Sequence, residues 1–353
     1  MDRLKIAALA GLLLCSGSLR AEESAPFPID WYGDLRLRGE QTRDIPARAD
    51  DIERVRSSLR VGGRYLNDSG FEFGAAIKLA AGSDDNDDNR RNKDNEESDA
   101  AGLDEFYLRY ALSESAGVQV GKSRMPLVLT PMTWDRDLRP IGLSLDVNHP
   151  VNGYDALLLN AGYFAGDHLY GDESRLAAIQ FGYGWMEGAE TGFQAYLGYL
   201  RYDDLAVAVR EGLVRTNRRL GARYLSDYEL LDAQLIGRMP LAGQSLVARI
   251  DVVRNLGADD QNEGIRSSLV WGDAWNPGQW ELGLSYQRVQ RDAVIAAFAE
   301  DDWWFTSFAR GGMPWVAYGF APGWNAQLAG FFERRDGIQQ DTRRLLLDVQ
   351  ARW

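Results

Sequence analysis

Arginine recurs at every second position in two neighbouring segments of the chain. Arg36 and Arg38 alternate with leucine in the segment WYGDLRLRGE. In ERVRSSLRVGGRY, all four arginines share one parity: Arg54, Arg56, Arg60 and Arg64. Residues two apart lie on the same face of a β-strand, so these side chains would form one basic wall. Because a guanidinium group stays charged and binds anions through paired N–H donors, the spacing predicts a surface that attracts anions.

An alternative for the same arginines is a solvated strand face without a specific role. The nearby carboxylates Asp34, Glu40 and Glu72 could neutralise it. Lys78 and Arg109 extend the basic face in later segments, where they again alternate with apolar residues. Both interpretations require β-strands, and they differ only in what the charged face does.

The alternation of apolar and charged residues continues along most of the chain. It is clear in FEFGAAIKLA, DEFYLRYAL, LLDAQLIGR, SLVARIDVV and QWELGLSYQ. A packed soluble core does not tolerate charge behind strand after strand. A strand that separates lipid from water must alternate in this way. The pattern therefore predicts an all-β protein, a transmembrane antiparallel up-and-down β-barrel.

Turn-forming residues divide the chain into sixteen predicted strands, with fourteen or eighteen as alternatives. The predicted strands are 30–43, 52–66, 70–82, 102–112, 117–124, 153–165, 175–186, 191–202, 214–225, 229–239, 244–255, 264–273, 279–290, 309–320, 323–334 and 343–353. Short turns alternate with long polar connections, as is typical of bacterial barrels. The connections 166–174 and 203–213 are too long for the short-turn positions that this scheme gives them.

The N-terminal residues have the pattern of a secretory signal. Arg3 and Lys5 precede an apolar run, and small residues follow as far as Ala21. We therefore expect residues 1–21 to be removed and residues 22–353 to form the barrel. The single cysteine, Cys15, would leave with the signal. The formal net charge of −13 argues against nucleic acid as a partner.

The signal, the alternating strands and the last segment, RRLLLDVQARW, together resemble a Gram-negative outer-membrane porin, with particular likeness to porins related to the phosphate-selective group. The resemblance implies an outer-membrane location, contact with lipid and lipopolysaccharide, and a homotrimer. It also implies that Trp353 is part of a terminal signal that the barrel-assembly machinery reads. The family usually ends on Phe, so Trp353 is a departure from its pattern.

The resemblance further implies a loop that folds into the barrel and narrows it. The segment 125–152 follows the fifth predicted strand and contains four prolines, which argue against a continuous strand. Its carboxylates Asp135 and Asp137 would face the basic wall across the constriction. The alternative is a loop that lies outside the lumen.

The function that this resemblance implies is a water-filled channel through which small hydrophilic solutes and ions diffuse. The basic wall of arginines favours anions among them. One alternative is a substrate-specific channel for an anion such as phosphate or an organic acid. Tyr107, on the face of Arg109, could line such a path, and the sequence does not fix the directions of Tyr154 and Tyr163. Another alternative is a non-conducting structural barrel whose lumen is filled by segment 125–152.

Enzymatic chemistry has little support in the sequence. The two histidines, His149 and His168, have no recognisable partners for a catalytic dyad or triad, and G-x-S-x-G is absent. We therefore predict no catalytic residues, no metal and no cofactor. The acidic segment 83–105 resembles a calcium loop only loosely, because Asn89 stands where such a loop needs glycine. Binding of divalent ions there stays open.

Overall fold

The structure is a computed structural model that describes residues 29–48, 50–83, 101–166, 171–187, 191–210 and 213–353. The predicted signal, residues 1–21, and most of the acidic segment 83–105 lie outside the described residues. No helix in the described ranges is long and apolar enough to cross a membrane.

The described part of the chain forms a closed antiparallel barrel of sixteen strands. The first nine are β1 Ile29–Arg43, β2 Ile52–Leu66, β3 Phe71–Gly82, β4 Ala101–Ser113, β5 Ala116–Lys122, β6 Ile141–Pro150, β7 Asp155–Gly166, β8 Gly171–Glu187 and β9 Thr191–Asp203. A short helix, α1 Ala206–Arg210, and a two-stranded ribbon, β10 Arg219–Leu220 with β11 Arg223–Tyr224, follow. The remaining barrel strands are β12 Tyr228–Leu241, β13 Gln244–Asn255, β14 Glu263–Gly272, β15 Trp280–Val289, β16 Ala309–Ala321, β17 Trp324–Arg335 and β18 Asp341–Arg352.

Each barrel strand pairs with its neighbours along the chain, and β9 pairs directly with β12. The barrel closes between β1 and β18, where Asp34 lies opposite Arg352 and Arg38 lies opposite Asp348. The predicted all-β, sixteen-stranded up-and-down barrel is therefore confirmed. Closure leaves no open sheet edge, as a membrane-spanning sheet requires.

Two of the individual strand predictions were wrong, and the errors cancel in the total. Residues 141–150, which we assigned to the constriction loop, form β6. Its flanking prolines, Pro140 and Pro150, lie at the strand ends, where a missing N–H is tolerated. Residues 214–225, which we assigned to a strand, contain only β10 and β11 and lie outside the barrel sheet. The alternation RRLGARY reflects this small ribbon.

The presence of β6 also explains the length of the connections 166–174 and 203–213, which the predicted scheme gave to short-turn positions. With β6 in place, strands β7 and β9 end at the same end of the barrel as the other strands that precede long connections. The opposite end carries the short turns, such as 67–70, 114–115 and 242–243. We call these the long-loop end and the short-turn end.

The outer face of the barrel is apolar. Leu235, Leu269 and Leu284, from three different strands, are 52%, 48% and 55% exposed. The next residues along these strands alternate inward, as the pleat requires. Two tryptophans near the short-turn end, Trp31 and Trp280, are also exposed on the outside. A broad apolar belt with aromatic residues at its rim is the surface that lipid contacts in a membrane barrel.

A hydrophobic core lies inside the barrel, which the alternation alone did not reveal. Three inserted segments, 123–140, 204–227 and 290–308, contribute buried apolar side chains to it, including Met132, Leu138, Val214, Ile295 and Phe298. They pack on inward-facing residues of the wall, among them Phe164, Leu176, Leu200 and Leu230. This contact explains why segment 153–165 is apolar on both faces.

Candidate functional site: a charged cavity inside the barrel

The segment 123–140 crosses the lumen and is fixed on the far wall. The side chain of Gln180 on β8 accepts a hydrogen bond from Val128 N at 2.9 Å and donates one to Val128 O at 2.8 Å. Gln234 on β12 also donates to Val128 O, at 2.7 Å. Thr130 donates to the buried carboxylate of Asp251 on β13. These bonds satisfy backbone groups that would otherwise be buried without partners.

The same segment is held to the near wall by Arg139. This side chain is 2% exposed, and its Nε lies 3.2 Å from Glu105 Oε1 and 3.4 Å from Asp104 Oδ2 on β4. It also donates to Arg136 O at 2.6 Å. With both walls engaged, the segment bridges the barrel.

Asp137 sits at the centre of a cluster of three cations. Its carboxylate lies 3.6 Å from Lys78 Nζ, 3.7 Å from Arg60 Nη2 and 3.9 Å from Arg36 Nη2. Burial opposes its ionisation, but the positive charges of Lys78, Arg36 and Arg136 outweigh burial and hold its pKa well below the usual range. Asp137 is therefore an anion opposite a basic wall.

A cavity of about 920 Å³ opens beside this cluster and extends toward the short-turn end. Basic residues dominate its lining: Arg36, Arg60, Arg64, Lys78, Arg109, Arg124, Arg136, Arg139 and Arg352. The acids that line it are Asp34, Glu105, Asp137 and Asp146. A positive field inside a low-dielectric wall concentrates anions.

The other basic residues predicted on this wall line the same cavity. Arg64 pairs with Asp30 at 2.7 Å and lies over the ring of Tyr32 at 5.1 Å. Arg109 forms a two-point salt bridge with Asp146 on β6. Tyr107 also faces inward, and its hydroxyl donates to Glu72 at 2.6 Å. These pairs orient the basic groups and reduce the excess of positive charge.

Arg38 and Arg56 lie elsewhere, which corrects the idea of a single continuous ladder. Neither belongs to the lining of the 920 Å³ cavity. Arg38 is buried against Asp348 on β18, with Nε 2.7 Å from Oδ1, and also pairs with Asp302. Arg56 lies 3.1 Å from Glu40, which Arg54 and Arg344 also contact. These charges form a buried network toward the long-loop end.

The segment 290–308 is the functional element that the sequence analysis missed. The predicted strands 279–290 and 309–320 leave 291–308 as a long polar connection, with DDWWFTSFA as a possible further strand, whereas residues Ala293 to Ala299 are almost fully buried inside the barrel. Its backbone is anchored by Glu333 on β17, which accepts from Trp304 N at 2.8 Å and Phe305 N at 2.9 Å. The apolar run AVIAAFA and the aromatic residues of DDWWFTSF could have indicated that this segment is buried, because a solvated loop does not need them.

Three acidic groups meet where segments 123–140 and 290–308 touch. Carboxylate oxygens of Asp135, Glu300 and Asp301 lie within 4.8 Å of one another. Burial, together with the charge of Asp302, raises the pKa of Glu300 to about 8. Burial and the charge of Glu300 also raise the pKa of Asp135. Protonation of these carboxyl groups removes the repulsion between them, so they can lie close together. That no metal binds here stays a prediction.

The structure also places Trp353, the predicted terminal signal residue, and the two tyrosines whose directions the sequence did not fix. Trp353 exchanges backbone hydrogen bonds with Gly33, 3.1 and 3.2 Å long, and so extends the β1–β18 seam. Tyr163 is 55% exposed, with neighbouring Phe164 turned inward, and Tyr154 is exposed in a short turn. Neither of these tyrosines contributes to the lining of the 920 Å³ cavity.

No protein-family model and no curated protein sequence matches the chain. Solved structures of similar fold include OprB of Pseudomonas putida at high pH, with 11% identity, 92% of this chain and 94% of that chain covered, and a TM-score of 0.61. A loop-deletion mutant of OmpT, an outer-membrane protein of Vibrio cholerae, has 12% identity, coverage of 93% and 100%, and a TM-score of 0.55.

A triple mutant of the Rhodopseudomonas blastica porin is similar over 92% of this chain and 100% of its own, with 10% identity and a TM-score of 0.53. At such identities the likeness shows the fold alone. The predicted resemblance to outer-membrane porins is confirmed at that level, and the relation to phosphate-selective porins stays a prediction.

Proposed function

We propose that the protein forms a water-filled channel in the outer membrane of a Gram-negative bacterium, through which small hydrophilic solutes and ions diffuse. The observation that carries the proposal is the charged cavity of about 920 Å³ beside a loop that bridges the lumen of a closed barrel. An apolar outer belt and the porin fold of the similar structures support the membrane location.

The channel discriminates by charge and width and performs no chemistry. Arg36, Arg60 and Lys78 stand on one wall, and Asp137 faces them from the bridging segment. Fixed opposite charges hold ordered water and orient dipolar solutes, whereas apolar solutes would have to displace that water. Since cations outnumber acids in the lining, the channel prefers anions. Catalytic residues, a metal and a cofactor have no part in this mechanism.

Several partners belong to the same proposal. The apolar belt would contact lipid, and lipopolysaccharide would surround the long-loop end. Residues 1–21 would direct export, Trp353 would be read by the barrel-assembly machinery, and the functional unit would be a homotrimer. Chemical cross-linking of the protein in native outer membranes tests the trimer, and N-terminal sequencing of the mature protein tests the cleavage site.

The decisive experiment is single-channel recording of the refolded protein in planar bilayers, with the reversal potential measured under a salt gradient. We expect stepwise conductance and a reversal potential of the sign that anion preference gives. Heat-modifiable migration on gels verifies that the barrel is folded. A folded barrel that conducts nothing would overturn the proposal.

The non-conducting barrel is the second candidate, and one observation favours it. Segments 123–140, 204–227 and 290–308 place a packed hydrophobic core inside the barrel. A structural barrel would show no conductance and would gain none when these segments are loosened. A substrate-specific channel would instead conduct and be blocked stepwise by its own anion, which separates it from a general channel.

A further inference from the structure

We propose that Asp232 and Asp251, two buried aspartates on the far wall of the barrel, share one proton, and that this proton fixes segment 123–140 in place. Asp232 lies on β12 and Asp251 on the adjacent β13, and neither side chain is exposed. Their carboxyl groups lie within hydrogen-bond reach of each other. A shared proton can be detected whether or not the barrel conducts.

Each carboxyl group uses one of its two oxygens to support the bridging segment. Asp251 Oδ2 accepts a hydrogen bond from Thr130 Oγ1. Asp232 Oδ1 accepts from Gln234 Nε2 at 2.7 Å, and the same amide nitrogen donates to Val128 O at 2.7 Å. The two aspartates therefore support neighbouring anchor points of the segment, Thr130 directly and Val128 through Gln234.

The other oxygen of each carboxyl group is buried without a donor. No described residue donates a hydrogen bond to Asp232 Oδ2 or to Asp251 Oδ1. An ionised carboxylate can only accept hydrogen bonds, so contact between two ionised groups is repulsive and leaves both oxygens unsatisfied. One proton turns the same contact into a charge-assisted O–H···O hydrogen bond that serves both oxygens.

The groups around the pair do not replace this proton. Arg249 lies on the inward face of β13, and Arg266 lies on the adjacent β14 and donates to a glutamine side chain on β15 at 2.7 Å. Neither arginine forms a salt bridge with the pair in the part of the chain that the structure describes. Tyr202 on β9, near Asp232, and Thr130 on the bridging segment are uncharged at neutral pH. Two carboxylates in contact cannot both ionise readily without a bound cation, so one proton stays between them.

Loss of this proton would place two negative charges in contact where segment 123–140 meets the wall. The carboxyl groups would move apart, and Thr130 and Gln234 would move with them. The segment lines the 920 Å³ cavity and carries Asp137, so its displacement would change the path of ions. This effect on conductance rests on the proposed channel function. The pair is separate from the cluster that contains Glu300.

Infrared spectroscopy of the folded, detergent-solubilised full chain at neutral pH tests the shared proton, because protonated carboxyl groups and carboxylates absorb at different frequencies. Asp232→Asn should lose one protonated carboxyl and no carboxylate relative to the unmodified protein. Asp251→Asn should show the same loss, since removal of either partner removes the one proton. The amide keeps the shape of the side chain and can donate to the remaining aspartate. If one variant fails to fold, the other decides.

The double variant Asp232→Asn/Asp251→Asn counts the protons. It should lose one protonated carboxyl and one carboxylate, whereas loss of two groups of the same kind would overturn the shared proton. Asp146→Asn is the matched control, because Asp146 lines the cavity from β6 in a two-point salt bridge with Arg109. It should lose one carboxylate and no protonated carboxyl.

The effect on the bridging segment is tested by raising the pH in the Glu300→Gln protein, in which the titration of Glu300 is removed. The protonated-carboxyl band of the pair and the single-channel current noise should change at the same pH, or neither should change. Adding Asp232→Asn should abolish any such rise in noise. A change in one signal without the other would mean that the proton does not fix the segment.

The infrared and conductance results separate this inference from the proposed function. A conducting barrel whose Asp232→Asn spectrum lacks only a carboxylate refutes the shared proton and leaves the channel. A barrel that holds the shared proton but conducts nothing refutes the channel and leaves the proton as part of the contact between the segment and the wall.

Discussion

Arg38 on β1 and Asp302 in segment 290–308 form a two-point salt bridge inside the barrel. Asp348 on β18 holds the same guanidinium from the other side, with Nη2 2.8 Å from Oδ2. Burial opposes the charge of Asp302, but Arg38 outweighs burial and holds the pKa of this carboxyl far below its usual range. The inserted segment is thereby fastened to the seam where the barrel closes.

Asp302→Asn tests this fastening. It removes one partner from a buried ion pair, which costs about 3–5 kcal/mol of stability when the remaining charge has no other partner. The cost is smaller here, because Asp348 still pairs with Arg38. We expect a lower thermal transition and a larger or noisier single-channel conductance as segment 290–308 loosens. Asp341→Asn, which breaks the exposed pair with Arg334, is the control. Equal effects of the two variants would contradict the idea.

Asp137→Asn tests the field at the constriction. The variant keeps the shape of the side chain and removes the negative charge that faces Arg36, Arg60 and Lys78. The reversal potential should shift toward stronger anion preference, and the shift should persist from pH 5 to pH 8, since the low pKa keeps Asp137 ionised throughout.

Asp155→Asn is the matched control for the field, because Asp155 begins β7 beside an exposed short turn. We expect its reversal potential to equal that of the unmodified protein. An unchanged reversal potential in Asp137→Asn would mean that the path of the ions bypasses this cluster.

Glu300 makes the contact between segments 123–140 and 290–308 sensitive to pH. Its pKa in the folded protein is about 8, above the ordinary value of 4.5. An acid with a raised pKa binds more protons in the folded state, so its stabilising effect is complete below the ordinary pKa and is lost as pH rises through about 8. Above that pH, ionised Glu300 repels Asp135, Asp301 and Asp302, and Arg136 at 3.8 Å offsets this only partly.

We therefore expect thermal stability to fall and channel noise to rise between pH 6 and pH 9. Glu300→Gln should flatten both profiles, because the amide keeps the neutral form at every pH. Glu53→Gln, at an exposed position on β2, should leave the profiles as they are. If the pH dependence of stability and noise is unchanged in Glu300→Gln, another group is responsible for the titration.

Gly33 and Trp353 pack so closely at the seam that any side chain at position 33 would collide. A Cβ atom on Gly33 would lie 2.4 Å from the Trp353 ring and 2.6 Å from Arg60 O. Gly33→Ala should therefore lower the yield of folded barrel and its resistance to heat in detergent. Gly39→Ala on the same strand meets nothing within 4 Å and is the control. Trp353→Phe should retain assembly, whereas Trp353→Ala should reduce it.

The local alternation of residues determined the architecture. A strand with lipid on one side and water or packed segments on the other must change character at every residue, so segments such as LLDAQLIGR identify both the strand and its outward face. The direction of Arg36, Arg60 and Lys78 followed from the same period, whereas the position of Asp137 was implied only by the family resemblance. The approximate count of strands also followed, although β6 and the 214–225 segment exchanged roles.

Only the tertiary structure decided what fills the barrel. The family resemblance implied one inserted segment, yet 204–227 and 290–308 also contribute buried apolar residues, which pack against Leu200, Leu230 and their neighbours on the barrel wall. The same packing separates Arg38 and Arg56 from the open cavity. Periodicity reports which face of a strand a residue occupies, whereas a long-range contact such as Arg38 with Asp302 depends on how distant segments meet.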